Sequence, residues 1–234
     1  MELLRDSLLS AVVLLMQLDP ELLFIIWVSL KVSTLSTLIA ATVGIPAGLL
    51  LAQAVFPGKR FILTCLNTLL ALPTVVIGLV VYAFISRRGT FGSLGLLYTQ
   101  DAIIFGQVIL IVPLVTSLTI AAVSKLDERY RLSAMTLGAD RYQTALVIFK
   151  EARFGIVAAV VAAFGRVIAE VGIGMMLGGN ARGFTRTMTT AMALEYDKGE
   201  YVLAVALGIV LMTIAFGVNM LFHFFQGRTR TDAL

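Results

Sequence analysis

Five long stretches of apolar residues dominate the sequence and limit what it can fold into. They lie at about residues 22–54, 61–85, 101–124, 155–178 and 201–225. A helix needs about 20 apolar residues to cross the hydrocarbon core of a bilayer, and it satisfies all of its backbone hydrogen bonds there. The sequence therefore predicts an all-α integral membrane protein with about five transmembrane helices.

The composition agrees with a lipid environment and excludes several function classes. Of the 234 residues, 59% are hydrophobic and 14% are charged, whereas soluble domains carry about 25% charged residues. The net charge of +4 comes from Lys and Arg at the ends of the apolar stretches, so we expect no nucleic-acid partner. Because Cys65 is the single cysteine, no internal disulfide can form and we expect no metal site.

The apolar stretches also set the domain boundaries and the orientation. Residues 1–20 contain a shorter apolar segment, which we interpret as an N-terminal interfacial helix or as a helix packed on the domain. Residues 21–225 form the transmembrane domain, and residues 226–234 form a tail. One set of loops carries ten Lys and Arg residues and the other carries six. The richer side is expected in the cytoplasm, which places the N-terminus outside and the C-terminus inside the cell.

The longest polar segment, residues 125–154, has the pattern of two short helices rather than of an unstructured connector. Asp127 can cap a first helix, and Gly138 suits the left-handed residue that ends it. Asp140 and a glutamine three residues later have the spacing of a capping box, which begins a second helix that ends at residue 149. Both helices are predicted to lie across the cytoplasmic membrane surface.

Several motifs of the chain resemble those of one transporter family. Residues 133–139, Ser-Ala-Met-Thr-Leu-Gly-Ala, resemble the glutamate-alanine-alanine loop of ABC importer permeases, with Leu132 in place of the glutamate. Residues 164–180 are similar to the fourth span of permeases for tungstate, molybdate and sulfate. Residues 150–153, Lys-Glu-Ala-Arg in place of leucine-proline, and residues 187–195 resemble the tungstate branch. The resemblance covers most of the chain and implies the type I ABC importer permease fold.

A tungstate permease subunit of this family implies a specific set of partners. The chain would form a homodimer in the cell inner membrane, and an extracytoplasmic binding protein would deliver tungstate. A separate cytoplasmic ATPase dimer would bind ATP and Mg²⁺, because the sequence contains no phosphate-binding loop and no cofactor is expected in the chain itself. The residues expected to couple transport to the ATPase are Ser133, Ala134, Leu137, Gly138, Ala139, Asp140 and Arg141.

The fourth span contains two charged residues, Arg166 and Glu170. An ionised group inside a membrane needs a partner, and their spacing of four places both on one face of a helix. A structural pair and a role in the gate remain open, whereas a tight anion site at Arg166 would slow release. The candidates for the pathway or gate are Arg166, Glu170, Gly172, Gly178, Gly179 and Asn180.

Hydroxyl and guanidinium donors follow the fourth span, beside the predicted outer mouth. Such donors suit a tetrahedral dianion. The candidates for an outer vestibule are Thr185, Arg186, Thr187 and Thr189.

Other function classes fit the sequence less well. A secondary transporter or channel would be favoured if residues 125–154 were an unstructured connector. A membrane enzyme would need clustered His, Asp, Ser or Cys residues, which the spans do not supply, so no catalytic residue is expected. Molybdate or sulfate remains the competing substrate within the importer class.

Overall fold

The computed structural model describes residues 13, 16, 17 and 19–231, so most of the predicted N-terminal interfacial helix lies outside the described residues. Within the described part the chain is helical and contains no strand. A single 3-10 turn, Gly92–Leu94, precedes the fourth helix. The helices of this part are α1 (Pro20–Gln53), α2 (Lys59–Leu70), α3 (Thr74–Ile85), α4 (Gln100–Ser124), α5 (Glu128–Thr136), α6 (Arg141–Ile168), α7 (Gly172–Gly178), α8 (Met188–Lys198) and α9 (Tyr201–Thr231).

Three of these helices, α1, α4 and α9, are each long and apolar enough to cross a membrane. Two further spans are broken: α2 meets α3 at 98°, and α6 meets α7 at 60°. Counting each bent pair as one span gives the five predicted spans. The second and fourth spans are therefore not continuous helices. In the second span, α2 and α3 each have 12 residues and are only about 18 Å long.

Proline has different effects in different spans. Pro73 separates α2 from α3, because its ring fixes the backbone and removes an amide hydrogen. The chain is thus completely broken at this residue and not merely kinked. Pro46 and Pro113 lie inside α1 and α4, and neither helix is interrupted there. Transmembrane helices tolerate proline in this way when neighbouring groups satisfy the freed carbonyl groups.

The core of the domain is the close packing of α1 against α4. Gly44 and Gly48 face α4, and a Cβ atom on Gly48 would lie 2.6 Å from the Cβ of Thr119. Small residues four apart allow two helix backbones to approach closely in a membrane. This contact holds the two long spans that support the broken ones.

Replacing Gly48 with alanine is expected to destabilise the protein by about 1–3 kcal/mol, because the added methyl group overpacks this contact. The apparent melting temperature in detergent would fall. Gly165→Ala is the matched control, since no atom lies within 4 Å of a Cβ added there. An equal melting temperature for the two variants would contradict this interpretation of the α1–α4 contact.

The polar segment between α4 and α6 confirms the predicted helix caps. The side chain of Asp127 accepts a hydrogen bond from the amide of Arg129 at the start of α5 (2.9 Å). Gly138 has a φ of 82° where α5 ends. Asp140 and Gln143 form the predicted capping box, with bonds of 2.7 and 3.0 Å. Residues 125–154 are therefore folded and not an unstructured connector.

The predicted end of the second short helix at residue 149 is wrong. That helix is the beginning of α6, which continues to Ile168 and includes the inner part of the fourth span. Residues 150–153 contain neither glycine nor proline, so nothing in this run stops the helix. Gly155 does not end it either, because this glycine provides space for Ala122 of α4, whose Cβ lies 2.6 Å from the position of an added Cβ.

The last two helices form a pair joined at Gly199 and Glu200. The start of α8 packs against α1, α6 and α9 in a second core cluster that includes Ile25, Ile168 and Met188. The backbone of α9 continues to Thr231, beyond the predicted end of the fifth span at residue 225.

Candidate functional site

The break in the fourth span is built around the buried side chain of Glu170. This residue lies between α6 and α7 and is 5% exposed. Its Oε1 accepts hydrogen bonds from the amides of Gly172 (2.9 Å) and Ile173 (3.4 Å). Its Oε2 accepts a hydrogen bond from Nη1 of Arg166 (3.2 Å). One carboxylate thus caps α7 and pairs with a charge on α6.

The pairing of Arg166 with Glu170 was predicted from their spacing, but the two residues do not share one helix. The helix ends at Ile168, so the ion pair bridges the break. The two side chains also differ in exposure, at 46% for Arg166 and 3% for Glu170. The guanidinium therefore has an open side, whereas the carboxylate does not.

Hydrogen bonds from two other helices hold this break in place, and a third helix supports one of them. The side-chain amide of Gln107 in α4 donates to the carbonyl of Val167 (3.3 Å) and accepts a hydrogen bond from the hydroxyl of Ser36 in α1 (2.8 Å). The hydroxyl of Thr189 in α8 donates to the carbonyl of Glu170 (2.7 Å). Sequence reasoning missed Gln107, although an isolated amide inside an apolar span is a signal of a buried polar contact.

The broken second and fourth spans meet at Gly172. A Cβ on this glycine would lie 3.1 Å from the hydroxyl oxygen of Thr74 in α3 and 3.3 Å from Oε1 of Glu170. The two half-helices α3 and α7 therefore begin beside each other, next to the Arg166–Glu170 pair. Thr74 was not predicted, and only its position after Pro73 could have indicated it.

A cleft of 690 Å³ opens between α3, α7 and the segment before α4. Gly179 ends α7 with a φ of 67°, and a Cβ there would lie 2.7 Å from the ring of Tyr98. The amide of Tyr98 donates to the carbonyl of Leu177 (2.8 Å). Asn180, with a φ of 50°, donates from its side-chain amide to α8. The cleft is lined by Leu79, Tyr82, Tyr98, Met175, Met176, Gly178, Gly179 and Ala181.

The threonines predicted for an outer vestibule are buried and bonded within the chain. The hydroxyl of Thr185 donates to the carbonyl of Gly178 (2.6 Å), and that of Thr189 donates to the carbonyl of Glu170. Thr187 is the N-terminal cap of α8. All three residues are at most 6% exposed. These hydroxyls form hydrogen bonds that hold the segment after α7 against the fourth span. They do not lie at an open outer mouth, which corrects their predicted placement in an outer vestibule.

Arg186 is also mostly enclosed, beside an ion pair at the start of α1. Nε of Arg182 donates to Oε1 of Glu21 (2.6 Å), and Nη1 of Arg186 lies 3.6 Å from the same oxygen. The side chain of Arg186 is 11% exposed. The hydrogen bond to Glu21 and the charge of that carboxylate raise the pKa of the Arg182 guanidinium. This cluster ties the segment after α7 to α1.

The segment predicted to couple to an ATPase presents apolar side chains to solvent. Leu137, where α5 ends, is 88% exposed, and Tyr142 at the start of α6 is 72% exposed. Leu132 and Met135 are each 54% exposed. Exposed apolar side chains on a short polar helix are typical of a surface that binds a partner.

The other residues predicted for coupling form the frame of this surface. Ser133 and Ala134 lie in α5, and Ala134 is buried. The amide of Ala139 donates to the carbonyl of Ala134 (3.0 Å), and Arg141 begins α6. The predicted set thus spans the end of α5, the turn and the first residue of α6.

Comparison with known proteins decides the family. Residues 44–231 match the model of the family described as "Binding-protein-dependent transport system inner membrane component". The chain belongs to this family. The permease is therefore a multi-pass component of the inner membrane and a transport subunit, not an enzyme, as predicted.

Individual relatives refine this assignment. The permease is 38% identical to the tungstate uptake system permease protein TupB of Peptoclostridium acidaminophilum, over 97% of this chain and 99% of that protein. The molybdenum transport system permease protein ModB of Escherichia coli is more distant, at 28% identity over 84% and 93%.

A solved structure confirms the fold. The permease superimposes on a crystal structure of a bacterial ABC transporter that imports alginate with a TM-score of 0.76. The match has 17% identity and covers 92% of this chain and 82% of the other. The permease has the type I ABC importer permease fold, as its sequence motifs predicted.

Proposed function

We propose that this permease forms the membrane pathway of an ABC importer for tungstate. The observation that carries the proposal is the 38% identity to a tungstate uptake permease along nearly the full length of both chains. Molybdate is less favoured, because the similarity to the molybdenum permease is weaker. A secondary transporter is disfavoured, because the polar segment is a capped helical turn.

The importer would contain two copies of the permease. Each copy would bind one cytoplasmic ATPase subunit, which hydrolyses ATP with Mg²⁺, and an extracytoplasmic binding protein would deliver tungstate. The charge distribution of the loops supports an N-terminus outside the cell and a C-terminus in the cytoplasm. In this orientation α5 and Leu137 lie on the cytoplasmic side, where the ATPase is.

The course of α6 supports a direct mechanical connection between the ATPase and the pathway. This helix has 28 residues and is about 42 Å long. It begins at the Asp140 capping box beside α5 and ends at the break that holds Glu170. A movement of α5 caused by ATP binding would be transmitted along α6 to the contact between α3 and α7.

Cellular tungsten, measured by mass spectrometry with and without the permease, tests the proposal. We expect uptake at trace tungstate to require the permease and to persist in the presence of excess molybdate or sulfate. Suppression by either competitor would assign a broader oxyanion substrate. An unchanged tungsten content without the permease would refute the assignment.

A further inference from the structure

The Arg166–Glu170 pair suggests how the permease passes an oxyanion without retaining it. We propose that Glu170 is a fixed counter-anion that occupies Arg166 and prevents this arginine from holding the transported oxyanion. The inference rests on the proposed function, because it concerns the same pathway. It assigns to Glu170 a role in release and not in binding.

Arg166 is accessible at the break in the fourth span. Its side chain is 46% exposed at the end of α6, beside the meeting point of α3 and α7. A guanidinium presents five donors and binds oxyanions readily through two of them. Without a negative partner, an arginine inside a span would attract an anion strongly, because few waters are present to compete.

Glu170 already occupies that arginine. Oε2 of Glu170 lies 3.2 Å from Nη1 of Arg166, and Oε1 accepts hydrogen bonds from two backbone amides that begin α7. The carboxylate is 3% exposed and is held on three sides. It cannot leave this position without breaking the cap of α7, so the charge of Arg166 stays neutralised while an anion passes.

Glu170→Gln separates the charge of this residue from its structural role. The glutamine oxygen can still accept hydrogen bonds from the amides of Gly172 and Ile173, so the cap of α7 remains. The glutamine amide group donates and cannot pair with Arg166. The guanidinium is then free to hold an oxyanion in place of the lost carboxylate.

The experiment measures tungstate binding and uptake for the same variants. Binding is measured by equilibrium dialysis of sodium tungstate against the permease–ATPase complex in nanodiscs, without the binding protein. We expect Glu170→Gln to lower the dissociation constant about tenfold or more, as expected for about 1.4 kcal/mol of added attraction. Cellular uptake would fall about tenfold because release becomes slow.

The double variant Arg166→Gln/Glu170→Gln provides the decisive readout. Because it removes the exposed cation as well, we expect the dissociation constant to return to that of the unaltered permease and uptake to recover above that of Glu170→Gln. A residue that only caps α7 would give no such recovery. Glu195→Gln is the matched control, since Glu195 is also buried and pairs with Lys198 (3.0 Å) away from the break.

The outcomes distinguish this inference from the proposed function. If the unaltered permease imports no tungstate, the proposed function fails. If it imports tungstate but Glu170→Gln does not bind more tightly, or the double variant is as inactive as the single one, the counter-anion role is refuted. Equal tightening in Glu195→Gln would also refute it.

Discussion

Leu137→Asp is expected to reduce tungstate uptake about 30-fold or more, because it places a charge in the surface that we propose docks into the ATPase. The few hot-spot residues of such surfaces contribute about 2 kcal/mol or more to binding, which corresponds to about 30-fold. The side chain is 88% exposed, so the substitution should leave the fold of the permease unchanged. Uptake of tungsten and co-purification of the ATPase subunit are the two measurements.

Val55→Asp is the matched control for this prediction. Val55 lies between α1 and α2, on the same predicted side of the membrane, and is 93% exposed. The same charge added there should leave uptake and co-purification unchanged. If Leu137→Asp retains both uptake and the ATPase subunit, the turn between α5 and α6 is not the docking surface.

The second large effect is expected for Gly172→Leu, which should reduce uptake about tenfold or more while the ATPase remains bound. An added Cβ would already lie 3.1 Å from Thr74 and 3.3 Å from Glu170, and leucine adds three further carbons. Overpacking of this kind costs about 1–3 kcal/mol. The larger side chain would force α3 and α7 apart at the point where the two broken spans meet. Tungsten uptake normalised to the amount of permease in the membrane is the measurement.

Gly217→Leu adds the same side chain at a position in α9 where no atom lies within 4 Å of an added Cβ. It should transport normally. Normal uptake by Gly172→Leu would show that the contact between α3 and α7 does not need to be close during transport.

The predicted positions of the helices and of their caps follow from local patterns. Asp127, Gly138 and Asp140 act within a few residues of themselves, so their roles could be predicted without tertiary contacts. Local patterns predicted the start of α6 but not its extent to Ile168. Whether a helix stops at Gly155 depends on its packing against Ala122, which the sequence does not show.

The candidate site was only partly predictable for the same reason. The ion pair of Arg166 with Glu170 follows from spacing, and any two opposite charges four residues apart inside a span have reason to pair. The break between them depends on Gln107 in α4 and Thr189 in α8, which are 60 and 19 residues away from their hydrogen-bond partners along the chain. Contacts of that range cannot be derived from a single sequence.

The sequence alone determined the membrane class, the number of apolar spans and the folded turn at Gly138, because these depend on hydropathy over about 20 residues and on local capping. Only the tertiary structure decided which spans are broken, that Thr185, Thr187 and Thr189 are buried, and that Glu170 is enclosed while Arg166 stays open. The physical reason is that burial and backbone breaks are set by the neighbours that a segment packs against. Those neighbours are brought together only by the fold.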